Sequence, residues 1–337
     1  MHFRAPRLLD AAAAAAVLLL GTLPACKNTP TTGPTRFPAP DAKPDLTFTQ
    51  DGQTFVLVEG GAYKVSASGE LEFLEALYDP DFYNKNYRVN NGQVYQVDPD
   101  SGQLYPVTRT FRDDFESLTQ LLTPAGWHNN NTDPARAGKP DNYYNLGNRV
   151  TLSRTVTHSG TASLRFHARP SATSVSKASL VKNVMYFKKG DHVYFSGWFF
   201  LEPTPSIYDV GGFTLIDLES SFMQSVGLRV IFRRNDALAF ELELPKTQFN
   251  QDVGAEVSFP TGRWVHVRAH VLLSDETGSV EIFQDGRKVL GKQGRTLPLA
   301  DTVYDRVEIG VTAMGKGAQY EKVLYIDDFV ISDSPIP

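Results

Sequence analysis

The chain has 337 residues, of which 41% are hydrophobic and 21% charged, which is the composition of an ordinary globular protein. Its formal net charge of -5 gives no reason to expect nucleic acid as a partner. The single cysteine, Cys26, excludes an internal disulfide framework.

Residues 1–26 have the pattern of a bacterial export signal, because two arginines precede an apolar run at residues 11–20. Residues 23–26 resemble the lipobox of bacterial lipoproteins, and the alternative is an ordinary secretory signal. The resemblance implies that Cys26 becomes an acylated N-terminus that anchors the chain to a membrane. Lys27, which follows it, points to the outer membrane. We therefore expect an outer membrane lipoprotein, facing the periplasm or displayed at the cell surface.

Two segments separate the signal from the main part of the chain. Residues 27–44 contain five prolines, which predicts a semi-extended tether. Residues 45–107 contain a weak repeat, since residues 59–65 resemble residues 91–97 and each copy is followed by a turn and a Gly-x-Leu segment. This predicts a small module of two β-hairpins that packs on the main domain or on itself.

Residues 108–333 predict one all-β domain, because short strands with turn signals between them recur along this part of the chain. In the clearest strand, 264–273, apolar residues alternate with His266, Arg268 and His270. The pair Asp285-Gly286 between apolar runs predicts a two-residue hairpin turn. So many strands predict a two-sheet antiparallel jelly roll. The candidate strands are 149–155, 161–168, 178–184, 192–202, 212–219, 226–233, 237–244, 264–273, 279–284, 304–313 and 321–332.

Four stretches of this domain carry a family resemblance: 113–116, 158–164, 264–286 (Trp-x-His-Val, then Asp-Gly) and 325–331. Together they resemble concanavalin A-like jelly rolls, the superfamily of lectins, glucanases and polysaccharide lyases. The nearest likeness is to the heparin-lyase-like and glucuronan-lyase-like lyases. The resemblance implies a concave inner sheet that holds a polysaccharide, which can be acidic. It also implies a structural calcium ion between the first and last strands, with Glu116 and Asp328 as candidate ligands; the alternative is two solvated acidic pairs.

Alternation along the strands also selects candidate ligand-binding residues for the concave face. Two aromatic rings would stack on sugar rings, and the charged side chains would meet carboxylates or hydroxyls. The alternative is that some of these strands belong to the outer sheet, where the same charges are simply solvated. The candidates are Tyr194, Trp198, Arg229, Glu241, Arg268 and His270.

The sequence contains incomplete forms of two hydrolase motifs, those of a zinc protease and of a retaining glycosidase. His266 and His270 are spaced like the zinc ligands of a helix, but on a strand they lie about 13 Å apart, too far to share an ion. Asp217 and Glu219 fit the helper and acid/base positions of a retaining glycosidase. The nucleophile position of that motif is Leu215, which cannot form a glycosyl ester.

The motifs of the lyases are also incomplete. Lys177 and Gly310 remain at the expected positions, but Glu308 and Thr312 stand where the family has lysine and tyrosine. We therefore predict a lipoprotein that binds a polysaccharide without turning it over. Two alternatives stay open: a lyase or glycoside hydrolase with a non-standard set, and a structural envelope protein that binds another protein. Candidate catalytic residues are His266, His270, Asp217 and Glu219.

Overall fold

The computed structural model describes residues 42–337, apart from short gaps given at the end of this paragraph. The export signal, Cys26 and most of the tether therefore lie outside the described residues. No helix in the described part of the chain is long and apolar enough to cross a membrane. The gaps are 59–60, 77–84, 91–92, 99–100, 118–125, 128, 140–141, 210–211 and 221–226.

The main domain consists of two antiparallel sheets, which confirms the predicted two-sheet, all-β jelly roll. In spatial order, the seven-stranded sheet contains β17 (Thr247–Phe249), β16 (Ala237–Leu242), β15 (Gly227–Arg233), β14 (Phe213–Glu219), β21 (Tyr304–Met314), β12 (Ser176–Phe187) and β9 (Asn129–Asn130).

The eight-stranded sheet faces it across the core. Its order is β10 (Arg149–Ser153), β11 (Ser163–Ala168), β22 (Lys322–Ser332), β13 (His192–Leu201), β18 (Trp264–Leu272), β19 (Gly278–Gln284) and β20 (Arg287–Gly294), with β8 (Phe111–Asp113) also paired to β22.

Strand β18 shows how the sequence builds this sandwich. Its burial alternates along the whole strand, and the apolar residues from Val265 to Val271 are at most 3% exposed. They pack with Phe166, Phe199 and Ile326 in the core between the sheets. Burial of one such side chain stabilises the fold by about 1.5–3 kcal/mol, so the period-2 pattern fixes which face of β18 points inward.

The predicted hairpin turn follows β19. Asp285 and Gly286 have φ angles of 50° and 78°, the positive values that the Asp-Gly pair tolerates. Nothing lies within 4 Å of a Cβ placed on Gly286, so this glycine is required by its backbone conformation alone.

The N-terminal residues form two smaller sheets that pack on the main domain. Leu57 and Ala62 contact Leu299, and Tyr87 donates a hydrogen bond to Asp305. The two copies of the sequence repeat are hairpins in different sheets. The first sheet contains β1 (Leu46–Gln50), β2 (Gln53–Val58), β3 (Gly61–Val65) and β4 (Leu71–Ala76); the second contains β5 (Tyr87–Asn90), β6 (Gln93–Val97) and β7 (Leu104–Pro106).

Candidate functional site

The predicted ligand-binding residues do not share one face, because they divide between the two sheets. Tyr194 and Trp198 lie on β13 and Arg268 and His270 on β18, all in the eight-stranded sheet. Arg229 on β15 and Glu241 on β16 belong to the seven-stranded sheet on the other side of the core. The expectation of a single shared site was therefore wrong, since alternation identifies the face of a strand but not its sheet.

The eight-stranded sheet carries aromatic and histidine side chains on the face that points away from the core. We call this surface the aromatic–histidine face. Strands β13 and β18 are direct neighbours, so Trp198 pairs with His266, Tyr194 with His270 and Ser196 with Arg268. The face comprises Tyr194, Ser196, Trp198, Trp264, His266, Arg268 and His270.

Trp198 lies between two histidine rings. The centroid of its ring is 3.7 Å from that of His158 and 4.7 Å from that of His266, and both pairs are stacked at 15°. Both faces of the indole are therefore covered by protein. The predicted stacking of Trp198 on a sugar ring does not fit this arrangement, because no face of the indole is free for it.

The two histidines of β18 are held by their neighbours. His266 Nε2 is 2.9 Å from Ser196 Oγ, and the ring of His270 stacks on Tyr194 at 4.3 Å. Burial lowers the pKa of both imidazoles, and the charge of Arg268 lowers that of His266 further. Both side chains therefore favour the neutral form at neutral pH.

The seven-stranded sheet carries a network of ion pairs on the face that points away from the core. We call it the ion-paired face. Its charged side chains alternate with core residues such as Leu218, Val230 and Phe240. Five carboxylates meet five cations there: Asp217, Glu219, Glu241, Glu243 and Glu308 with Lys177, Arg229, Arg233, Lys246 and Arg306.

Three carboxylates form the buried centre of this face. Asp217, Glu219 and Glu308 each place an oxygen within 4.8 Å of the others, and all three are at most 1% exposed. The pairing of β14 with β21 sets Asp217 directly opposite Glu308. The third carboxylate of the cluster, Glu308, thus comes from the neighbouring strand β21. Leu215, which lies on β14 with Asp217 and Glu219, is buried in the core.

Each of these carboxylates has a cation of its own. Lys177 Nζ lies 3.1 Å from Glu308 Oε2, and Arg229 Nε lies 3.0 Å from Asp217 Oδ1. The third pair joins Arg306 Nε to Glu219 Oε2 at 3.3 Å. Because three cations already neutralise the three acids, the centre is an internal salt-bridge network, and its charge gives a divalent cation little reason to bind.

Burial and pairing separate the pKa values of this centre. Burial raises the pKa of Glu219 to about 7, against the opposing charge of Arg306. Burial also raises the pKa of Asp217, where Arg229 opposes it. At Glu308 burial acts in the same direction, but the charges of Lys177 and Arg306 outweigh it and the pKa is lowered.

The rim of the ion-paired face is partly open to solvent, although Glu241 within it is buried. Glu243 accepts a hydrogen bond from Arg229 and its side chain is 31% exposed. Arg233 donates to Glu241, which also accepts from Gln248 Nε2 at 2.8 Å. These groups present donors and acceptors side by side along β15, β16 and β17.

Tyr208 completes this rim, and the sequence reasoning missed it. Its side chain is 40% exposed, and Arg233 Cζ lies 5.8 Å from the centre of its ring. The available signal was a tyrosine in a loop with two prolines and two glycines, just before β14. Such loops at strand ends often carry binding residues.

The positions of the lyase motif are occupied by structural contacts. Glu308 accepts from Asn131 Nδ2 at 2.7 Å and from Ser179, and Thr312 is fully buried. Gly310 is needed for packing, because a Cβ there would lie 2.5 Å from the ring of Phe166 and φ is 117°. The presence of Gly310 at this position of the motif therefore reflects packing within the fold rather than lyase chemistry.

The candidate calcium ligands are engaged with protein donors. Glu116 accepts from the amide nitrogens of Thr161 and Ala162 at 2.8 and 2.9 Å. Asp328 Oδ1 accepts from Ser159 Oγ at 3.0 Å, and Asp328 Oδ2 lies 2.8 Å from His158 Nδ1. Calcium at these carboxylates stays a prediction.

Known structures match this chain at low sequence identity. A cellulose-induced protein, Cip1, is 17% identical with a TM-score of 0.48, covering 67% of this chain and 98% of that chain. An endo-β-1,4-glucuronan lyase from the fungus Trichoderma reesei is 16% identical, with a TM-score of 0.48 and coverages of 67% and 95%. Alginate lyase Aly36B is 11% identical, with a TM-score of 0.40 and coverages of 67% and 97%.

No family model matches the chain, and no curated protein does. The confirmation of the predicted jelly roll therefore rests on the two-sheet, all-β architecture of this chain. At these identities and TM-scores the matches carry no argument about the activity of this chain.

Proposed function

We propose that this protein binds a neutral polysaccharide on the ion-paired face and does not turn it over. The observation that supports the proposal is the partly open rim, where Arg229, Arg233, Glu243 and Gln248 present donors and acceptors next to each other. A sugar hydroxyl both donates and accepts, so it can bridge a guanidinium and a carboxylate. Tyr208 adds an exposed ring at the end of this row.

The charge balance of the face argues for a neutral ligand. Its cations are each committed to a carboxylate of the chain, and the two signs are equal in number. A uronate would have to displace Asp217 or Glu243 from Arg229, which would leave a carboxylate without its cation. A neutral glycan therefore has more support than the acidic one that the sequence resemblance allows.

The absence of turnover follows from what occupies the centre. Elimination on a uronate needs a base and a proton donor within reach of the sugar. Glu308 and Thr312 are fully buried and face protein groups, and Lys177 is held by Glu308. The candidate catalytic histidines, His266 and His270, lie on the opposite sheet.

A glycoside hydrolase is the second candidate, favoured by one observation. Glu219 has a pKa of about 7, while the pKa of neighbouring Glu308 is lowered, and such a split pair suits an acid and its partner carboxylate. Both side chains are at most 1% exposed, which favours binding over hydrolysis.

The test is affinity electrophoresis of the full chain in gels that contain neutral or uronate polysaccharides. We expect retardation in a neutral glucan that persists at high salt, because no net charge drives the binding. Retardation only in uronate gels, lost at high salt, would contradict the proposal. Release of reducing ends that Glu219→Gln abolishes would establish the hydrolase, and an increase in the absorbance of unsaturated products would establish the lyase.

We also propose that the chain is a lipoprotein anchored through Cys26 at the bacterial outer membrane. The support is the sequence pattern of residues 1–26, which lie outside the described residues. Mass spectrometry of the N-terminal peptide checks this, with acyl chains expected on Cys26. Cleavage at another residue without acylation would contradict it.

A further inference from the structure

Two histidines on the eight-stranded sheet approach each other through their ring nitrogens. His192 Nδ1, at the start of β13, lies 2.8 Å from His270 Nε2 on β18. Their rings are inclined by 20°. At this distance at least one nitrogen acts as an acceptor, so a lone pair points at the neighbouring ring.

His270 is oriented by contacts on its other sides. Its ring lies parallel to that of Tyr194, with 4.3 Å between centroids and an angle of 3°. Its second nitrogen, Nδ1, is 3.6 Å from Glu281 Oε2, and Glu281 is itself bound by Lys288. A carboxylate behind the second nitrogen is the usual support of a metal-binding histidine, because it fixes the ring and raises its basicity.

We propose that His192 Nδ1 and His270 Nε2 together bind one divalent transition-metal ion that prefers imidazole, such as Zn²⁺ or Cu²⁺. Water completes the coordination. Metal–nitrogen bonds of about 2.0–2.1 Å in a tetrahedral arrangement separate two ligand nitrogens by about 3.3 Å. The two rings must therefore move apart by about half an ångström. His192 is exposed and can make this adjustment, while His270 stays fixed.

The same sheet contains histidines that lack one part of this arrangement. His167 Nε2 is 2.9 Å from Glu321 Oε2, so it has a carboxylate; its described contacts give it no second imidazole. His266 pairs with the hydroxyl of Ser196 rather than with another histidine. His167→Ala is therefore a matched control that removes a carboxylate-bound histidine from the same sheet.

The experiment is calorimetric titration of the full chain, without a histidine tag, with ZnCl₂ and separately with CuCl₂. We expect one ion per chain, and a loss of affinity of at least about tenfold in both His192→Ala and His270→Ala. Glu281→Gln should weaken binding about tenfold while leaving the stoichiometry at one. His167→Ala should bind as the wild type does.

Because His192 is exposed, its alanine variant should keep the wild-type melting temperature, so that a lost affinity reports on the site. Wild-type affinity in both His192→Ala and His270→Ala would overturn the proposal. The same holds if the wild type binds neither ion at micromolar concentrations, or if His167→Ala loses as much affinity as the other two. MgCl₂ should give no heat that depends on either histidine, because imidazole is a poor ligand for magnesium.

Discussion

Replacement of Glu219 by glutamine tests the electrostatics of the ion-paired face. The pKa of this carboxyl is raised by burial from 4.5 to about 7, so between these pH values the folded chain holds a proton that the unfolded chain has released. This stabilisation is complete below about pH 4.5 and is lost as the pH rises through 7. Each pKa unit corresponds to about 1.36 kcal/mol, so the loss is on the order of 3 kcal/mol.

The assay is urea unfolding of both proteins at several pH values from about 4.5 to 8, followed by tryptophan fluorescence. Glutamine does not titrate, so the stability of the wild type relative to Glu219→Gln should fall by about 3 kcal/mol over this range. The control is Glu321→Gln. Hydrogen bonding to His167 lowers the pKa of Glu321, so the contribution of Glu321 to stability is lost as the pH falls. The reasoning would be refuted if the difference in unfolding free energy between the wild type and Glu219→Gln stayed constant within about 0.5 kcal/mol over this pH range.

Three further predictions concern packing and pairing. Lys177→Met should cost about 3 kcal/mol in urea unfolding, because it leaves buried Glu308 without its nearer cation and with Arg306 at 3.8 Å. The double variant Lys177→Met/Glu308→Leu should cost less than the sum of its singles, and additivity would contradict the pairing. Gly310→Ala should cost at least about 2 kcal/mol and Gly286→Ala only about 1, as measured by the same assay, since only the first meets a steric clash. Trp198→Ala should leave glycan retardation in gels unchanged, because both faces of the indole are covered. Loss of retardation in this variant would place the ligand on the eight-stranded sheet and contradict binding at the ion-paired face.

The fold was predictable because its core residues alternate with polar residues along each strand, a pattern that is local in the sequence. Along β18 the residues from Val265 to Val271 give the period directly, and the turn at Asp285 and Gly286 is specified by residues that tolerate positive φ. The eleven candidate strands of the main domain all appear, with bounds shifted by a few residues. The short strands β8, β9 and β17 were not expected, because two or three residues carry no readable period. Strand β20, which follows the predicted turn at Asp285 and Gly286, was also missing from the candidate strands.

The site was less predictable because it depends on pairing between distant parts of the chain. Trp198 and Arg229 have the same pattern of apolar neighbours, yet lie on opposite sheets. The partner of Asp217 is Glu308, ninety-one residues later, and only the register of β14 with β21 brings them together. The covering of Trp198 by His158 likewise comes from a turn that no local pattern connects to β13.

The most direct test of the account is calorimetric titration of a neutral glucan into two variants of the full chain. One variant removes the rim of the ion-paired face, with Tyr208→Ala and Gln248→Ala together. The other, Tyr194→Ala, removes an aromatic ring from the opposite sheet. A lost stacking contact and a lost hydrogen bond are each worth about 1 kcal/mol, so the rim variant should bind at least about tenfold more weakly. Tyr194→Ala should bind as the wild type does. Unchanged affinity in the rim variant, with weakened binding in Tyr194→Ala, would contradict the central claim.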